Sequence, residues 1–151
     1  MIVNERARRI LERVVASETG VARNSNRRTV SAALLALGKP VSADDFANTL
    51  DRIYYRHDCT DFDVNVLLRL MYLYADSPLL DEKAKANIKA AFLDYDYWIH
   101  ENNKNAGKQL FWTKNHVMQY VTAEYLIAQM YPDEIFRMRN MKGSDVVPLI
   151  R

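Results

Sequence analysis

The sequence is poor in the residues that make turns, disulfides and membrane spans. It contains one cysteine, four glycines and four prolines among 151 residues. The single cysteine, Cys59, excludes an intrachain disulfide and a zinc site built from several cysteines. So few glycines and prolines argue against a many-stranded barrel and favour long helices. No apolar run approaches the ~20 residues of a membrane span and no apolar stretch follows the basic start, so we expect a soluble cytoplasmic protein with no membrane partner.

Net charge and early aromatic residues are also scarce. The formal net charge is only +2. Residues 1–40 hold eight basic and three acidic residues, whereas the remaining 111 residues hold 13 basic and 16 acidic ones. This basic N-terminal helical segment has no aromatic residue and no nucleic-acid recognition motif. We therefore interpret its charge as a solvated helix face rather than a nucleic-acid interface.

Apolar residues recur at helical spacing through most of the chain. The spacing predicts helices over residues 5–16, 43–55, 62–75, 82–97 and 113–130. A shorter apolar segment over 30–37 should end at Gly38, and a turn of helix is expected over 133–140. No segment alternates with a period of two, so no sheet is expected. We interpret residues 1–151 as one all-α domain of antiparallel αα-hairpins.

Polar residues form a stripe on the last long helix. Asn115 and Gln119 share one face, with Thr122 further along, and His116 and Tyr120 lie on the adjacent face. Buried amides need hydrogen-bond partners or water, so this face either meets polar groups of another helix or lines a wet cleft. We expect Asn115, His116 and Tyr120 to face a cleft; the alternative is that Asn115 caps the helix and His116 is a satisfied, partly buried histidine.

A second cluster, residues 56–63 (RHDCTDFD), combines three carboxylates, a histidine and a thiol. Ligand or catalytic sites need such groups to converge. The alternative, which we favour from the sequence, is that Asp58, Asp61 and Asp63 cap the following helix, whose amino end attracts negative charge. Cys59 carries no nucleophile motif and is interpreted as a small buried residue. No metal or cofactor is expected.

Two blocks of sequence together carry a family resemblance. Residues 56–62 (RHDCTDF) lead into 67–74 (LLRLMYLY), and residues 111–116 (FWTKNH) lead into 123–126 (AEYL) and 132–134 (PDE). Over roughly residues 45–137 the chain resembles the N-terminal part of bacterial (α/α)-toroid proteins akin to six-hairpin glycosidases and polysaccharide lyases. It departs from their pattern at Lys114, where that group has an acidic residue.

The resemblance implies a carbohydrate-active protein. For a lyase that cleaves uronic-acid glycans by β-elimination, Asn115 would neutralise the substrate carboxylate, His116 would take the C5 proton and Tyr120 would protonate the leaving oxygen. Histidine suits the base because its side chain ordinarily titrates near pH ~6.5. Substrate binding falls to Trp98, Trp112 and Gln119, and the expected partner is an acidic polysaccharide or oligosaccharide.

Two alternatives to the lyase stay open. A glycosidase would need two carboxylates ~5 to 9.5 Å apart, for which the candidates are Asp58, Asp61, Asp63 and Glu124. A non-catalytic helical glycan-binding or protein-interaction module would use the polar stripe only for packing. A ring of twelve helices needs about 200 residues, so the resemblance also predicts a fragment or truncated relative with half a ring. The apolar surface left uncovered would favour a homo-oligomer.

Overall fold

The computed structural model describes residues 4–17, 27–97 and 113–150, and most of them are helical. Its helices are α1 (Glu5–Ser17), α2 (Arg27–Ala36), α3 (Ala47–Tyr54), α4 (Thr60–Tyr74), α5 (Glu82–Asp94), α6 (Lys114–Met130) and α7 (Gly143–Val146). Short 3-10 turns, Ala43–Phe46 and Val147–Ile150, lead into α3 and follow α7. Two short strands, β1 (Ile135–Phe136) and β2 (Met141–Lys142), complete the described elements. The all-α prediction is thus confirmed at the level of fold class.

Local sequence sets several helix ends. The Asn4 side chain accepts a hydrogen bond from the Ala7 amide (2.9 Å) at the start of α1. Before α3, the Asp45 carboxylate accepts from the Ser42 amide (2.8 Å), as part of a capping box. Gly38 closes α2 with a φ of 75°, a backbone conformation that glycine adopts without penalty.

The helices pack in two rows. In the first row α4 contacts α2 and α6, and in the second row α3 contacts α5. Three side-chain contacts between α4 and α6 keep nearly constant spacing along both helices. They are Asp61 with His116, Asn65 with Gln119, and the Tyr72 hydroxyl with the Leu126 carbonyl. The two helices therefore run side by side in the same direction.

Large apolar and aromatic side chains from every row meet in one core. Phe46, Ile53, Leu67, Ile88 and Ile127 are each at most 2% exposed. The apolar face of α4 is buried over most of its length. Burying side chains of this size supplies roughly 1.5–3 kcal/mol each towards folding.

The region after α6 corrects the sequence prediction. Residues 133–140 were expected to add a turn of helix, and no sheet was expected. Instead β1 and β2 form a two-stranded antiparallel pair, with Ile135 opposite Lys142 and Phe136 opposite Met141. Asn140 turns the chain with a φ of 53°, in the left-handed region that asparagine tolerates better than most residues. Strands of two residues are too short to produce a readable alternation.

Smaller differences concern helix ends. α4 begins at Thr60, two residues before its predicted start, and α5 ends at Asp94 rather than at residue 97. Tyr95 is extended there, with a ψ of 144°. Among the described residues, no helix is both long and apolar enough to cross a lipid bilayer.

Candidate functional site

Several polar and ionisable side chains lie close together at one end of the bundle. Here α3 and α5 end, α4 and α6 begin, and the turn between β1 and β2 approaches; we call this region the polar end. The Thr60 hydroxyl lies 2.6 Å from the Tyr95 hydroxyl, which joins the start of α4 to the end of α5. His116 Nδ1 lies 2.8 Å from Asp61 Oδ2, which joins α6 to α4. Both of the clusters singled out in the sequence therefore meet at this end.

In the described part of the chain four carboxylates are buried, each 2% exposed or less, and each has a cationic or imidazole partner. The pairs are Asp61 with His116 (2.8 Å), Asp63 with Arg52 (3.1 Å), Asp96 with Arg56 (3.7 Å), and Glu124 with Arg139. An isolated buried carboxylate would be strongly unfavourable, so these partners are what allow the carboxylates to be buried.

The Asp61–His116 pair has the geometry that orients a base. Asp61 is fully buried, and the His116 side chain is 15% exposed. An ionised carboxylate can only accept hydrogen bonds, so Asp61 accepts one from the Nδ1–H group of His116, which leaves Nε2 as the basic nitrogen. The Phe62 ring meets the imidazole edge to face, at 5.9 Å between centroids. Asp61 Oδ1 is buried and has no hydrogen-bond partner in the part of the chain that is described.

The prediction made Asp58, Asp61 and Asp63 caps of α4, but the N-cap residue is Cys59, in the left-handed region with a φ of 63°, and its side chain makes no capping hydrogen bond. Asp61 and Asp63 lie in the first turn of the helix. Their side chains turn inwards. Asp58 remains outside, where its Oδ1 accepts from the Cys59 amide at 2.9 Å.

The polar side chains of the α6 stripe find hydrogen-bond partners on α4 and within α6 itself. The Asn65 amide group donates to Gln119 Oε1 (3.3 Å), and the Gln119 amide group donates to Asn115 Oδ1 (3.1 Å). The helix is capped not by Asn115 but by Thr113, whose hydroxyl accepts from the His116 amide. The stripe therefore meets polar groups on a neighbouring helix, one of the two arrangements that the sequence left open.

The predicted site residues have different surroundings. Asn115 is exposed, and His116 and Gln119 are partly buried. Tyr120 is fully buried and stacks on Tyr95 at 6.0 Å between ring centroids, so it does not face an open cleft as expected. Trp98 and Trp112, the predicted substrate-binding residues, lie outside the described residues.

Desolvation favours the protonated forms of the thiol and phenol groups near the Asp61–His116 pair. Desolvation, with the nearby charges of Asp58 and Asp61, raises the pKa of the Cys59 thiol. Cys59 is thus not an activated thiolate at neutral pH, which is what a cysteine nucleophile paired with His116 would require. Desolvation also raises the pKa values of Tyr95 and Tyr97 well above that of free tyrosine.

The signal that could have found Asp61 is its position on the helix. Asp61 precedes Val64 and Leu68 on one face of α4, and both of these are buried. His116 has the same relation to Tyr120 and Ala123 on α6. A carboxylate on one apolar face and a histidine on another predict a buried pair once the two helices are known to touch. Arg139, which neutralises Glu124, has no comparable signal.

A groove opens beside the polar end, between α3 and α5. Its volume is about 470 Å³. Its lining includes the small side chains of Ala47 and Ala91 and the larger ones of Tyr54, Arg56 and Arg137. Pockets of this volume are typical of small-molecule sites.

No group of three or more histidine, cysteine, aspartate and glutamate side chains that could hold a metal ion occurs within residues 4–17, 27–97 and 113–150. Comparison of the chain with protein-family models, with curated proteins and with solved structures finds no match.

Proposed function

We propose that the polar end is the base-bearing part of a carbohydrate site, and that His116 removes the C5 proton of a uronic-acid residue in a β-elimination. The contact between His116 Nδ1 and the buried Asp61 carboxylate, at 2.8 Å, carries this proposal. Such a carboxylate fixes the tautomer and ring orientation of the imidazole and stabilises the imidazolium that forms during proton transfer. The partial exposure of His116 leaves a route for a substrate.

The residues around His116 suit an anionic substrate. Lys114 and Asn115 are exposed in the first turn of α6. The amino end of a helix attracts negative charge, and Lys114 adds a full positive charge to it. The substrate carboxylate would bind there. Neutralising that carboxylate stabilises the carbanion that develops at C5, and this is the largest contribution that such a site can make.

The elimination balances without a cofactor. His116 Nε2 takes the proton as the C5–H bond breaks, the electron pair forms the C4–C5 double bond, and the C4–O bond to the leaving sugar breaks. The leaving oxygen then needs a proton. The role of Tyr120 as that acid stays a prediction, but its burial favours the protonated His116 itself as the donor.

The larger architecture is part of the same proposal. In an (α/α) ring, alternate helices run in the same direction and lie side by side. The parallel pairing of α4 and α6, together with the packing of α5 against α3, supports such an arrangement. Exposed apolar side chains on these two helices, Phe62, Leu73 and Met118, support the proposed self-association.

A specific observation favours a second candidate, a non-catalytic helical module that binds a glycan or a protein. The amide groups of Asn65, Gln119 and Asn115 bond to one another, and each buried carboxylate has a partner within the chain. A polar stripe that is satisfied in this way already has a structural purpose.

The test is to incubate the protein with polygalacturonate, polymannuronate and hyaluronan and to follow the ultraviolet absorbance of the unsaturated product. His116→Asn keeps a donor near the position of Nδ1, and so preserves the bond to Asp61 while removing the base. His57→Asn is the matched control, since His57 is a partly buried histidine whose side chain takes no part in the proposed reaction.

Elimination requires that the absorbance rises for at least one polymer and that His116→Asn abolishes the rise while His57→Asn retains it. If no polymer gives a product, elimination is rejected for this panel. Retarded migration of the protein through a gel containing one of these polymers, without any product, would then support the binding module.

A further inference from the structure

We propose that the groove between α3 and α5 binds a neutral oligosaccharide, through stacking on Tyr54 and hydrogen bonds to Asp94 and Arg137. This site is separate from the one that we assign to His116. It involves no reaction, and it does not depend on the proposed elimination. Three features of the groove carry the inference: its aromatic lining, its neutral charge and the arrangement of its polar groups.

One exposed tyrosine, Tyr54, lines the groove, and a second, Tyr55, follows it in the chain and lines the adjoining cavity. Tyr54 is 70% exposed and Tyr55 is 66% exposed, and their rings meet edge to face at 5.1 Å. Tyr54 also lines a second cavity of about 360 Å³, which shares Arg56 and Asp94 with the first. A sugar presents one face of C–H groups, and an aromatic ring that is already fixed on a helix can cover that face at little entropic cost.

The charged groups that line the groove cancel one another. The lining contains two positive side chains, Arg56 and Arg137, and two negative ones, Asp51 and Asp94. Such a lining gives no electrostatic preference to an anion or a cation, so it favours a neutral ligand. Arg56 is held in place by the buried Asp96, at 3.7 Å, and its own side chain is only 14% exposed.

A donor and an acceptor stand side by side in the lining of the groove. Arg137 Nη1 lies 3.2 Å from Asp94 Oδ1, and both side chains remain substantially exposed, at 64% and 40%. A sugar hydroxyl both donates and accepts, so two adjacent hydroxyls can bond a carboxylate and a guanidinium that stand side by side. Asn87 offers a further amide to the same groove. The small side chains of Ala47, Ala90 and Ala91 leave room for a ring.

The experiment titrates the ¹⁵N-labelled protein with the hexasaccharides of β-1,4-glucose, α-1,4-glucose, β-1,4-mannose and β-1,4-xylose, and follows the backbone amides by NMR. We expect at least one of them to shift amides within residues 47–56 and 87–95. Tyr54→Ala removes the ring on which the sugar stacks and should weaken that binding about tenfold. Asp94→Ala should weaken it as well.

Tyr72→Ala is the matched control, because Tyr72 is an exposed tyrosine of α4 outside the groove. It should bind as the unaltered protein does. Failure of all four sugars to shift the groove amides at millimolar concentration overturns the proposal. Binding that survives Tyr54→Ala unchanged overturns it too. So would groove shifts that appear only in a parallel titration with polygalacturonate, an anionic polymer.

Discussion

Arg139 donates two hydrogen bonds to the carboxylate of Glu124, from Nε to Oε1 and from Nη2 to Oε2 (2.7 Å). Glu124 is only 2% exposed. These bonds raise the pKa of Arg139 above its ordinary value, because they favour the charged guanidinium. The pair fixes the turn after β1 to the middle of α6. Arg139→Met leaves a carboxylate buried without its cation, so we expect the free energy of unfolding to fall by about 3 kcal/mol. Urea denaturation followed by circular dichroism measures it.

The matched control for this variant is Arg9→Ala, which removes an arginine from the exposed pair with Glu5 on α1. It should change the free energy of unfolding by less than about 0.5 kcal/mol. Glu124→Leu combined with Arg139→Met should recover most of the lost stability, since no charge is then left buried. Equal losses for Arg139→Met and Arg9→Ala would contradict the importance of the buried pair.

The Asp61–His116 pair should show strong energetic coupling. His116→Ala leaves the fully buried Asp61 without its donor, and we expect a loss of about 2 kcal/mol in the free energy of unfolding. Asp61→Ala should cost a similar amount, but the double variant should cost much less than the sum of the two. A double-mutant cycle at neutral pH measures the coupling, expected at about 1 kcal/mol or more. Purely additive losses would mean that the contact contributes nothing to stability.

Helix positions were predictable because their signals are local. Asn4 and Gly38 act within four residues of the groups that they bond, and apolar spacing extends over whole helices. The exception is the segment after Pro132, whose strands of two residues carry too little pattern. Asn140, which turns the chain between the two strands with a positive φ, is a residue type that tolerates this conformation.

The site was predictable only in part, because its contacts join distant parts of the chain. The sequence pointed to both His116 and the cluster at residues 56–63. However, nothing in it states that α4 and α6 run side by side, which is what brings Asp61 to His116. The capping hypothesis for Asp61 used only local information. The partners of Asp96 and Glu124 likewise lie tens of residues away along the chain or beyond the next element.

Gly143 should tolerate no side chain. A methyl group at this position would stand 2.7 Å from the Ala128 carbonyl oxygen and closer still to that of Tyr131. Both obstacles are backbone, so Gly143→Ala should lower the free energy of unfolding by about 2 kcal/mol or more.

Gly38→Ala is the control: nothing lies within 4 Å of its added carbon, and only the φ of 75° opposes it. That strain should cost about 1 kcal/mol. A smaller loss at Gly143 than at Gly38, measured by urea denaturation, would contradict this packing.

Tyr97 should make the protein sensitive to alkali. Burial, and secondarily the charge of Glu124, raises the pKa of Tyr97 well above the ordinary value near 10. Above that ordinary value the unfolded chain releases the phenolic proton while the folded chain retains it. The contribution of Tyr97 to stability is therefore complete below pH ~10 and declines as the pH rises further, by up to about 1.4 kcal/mol per pH unit.

Tyr97→Phe loses the 2.9 Å bond to the Phe92 carbonyl, at a cost of about 1 kcal/mol near neutrality, but should show a shallower alkaline decline. Ile88→Val is destabilised by about the same amount without losing an ionisable group, so it should keep the original decline. Denaturation curves at a series of pH values above 9 compare the slopes, and equal slopes for the two variants would exclude Tyr97 as the source.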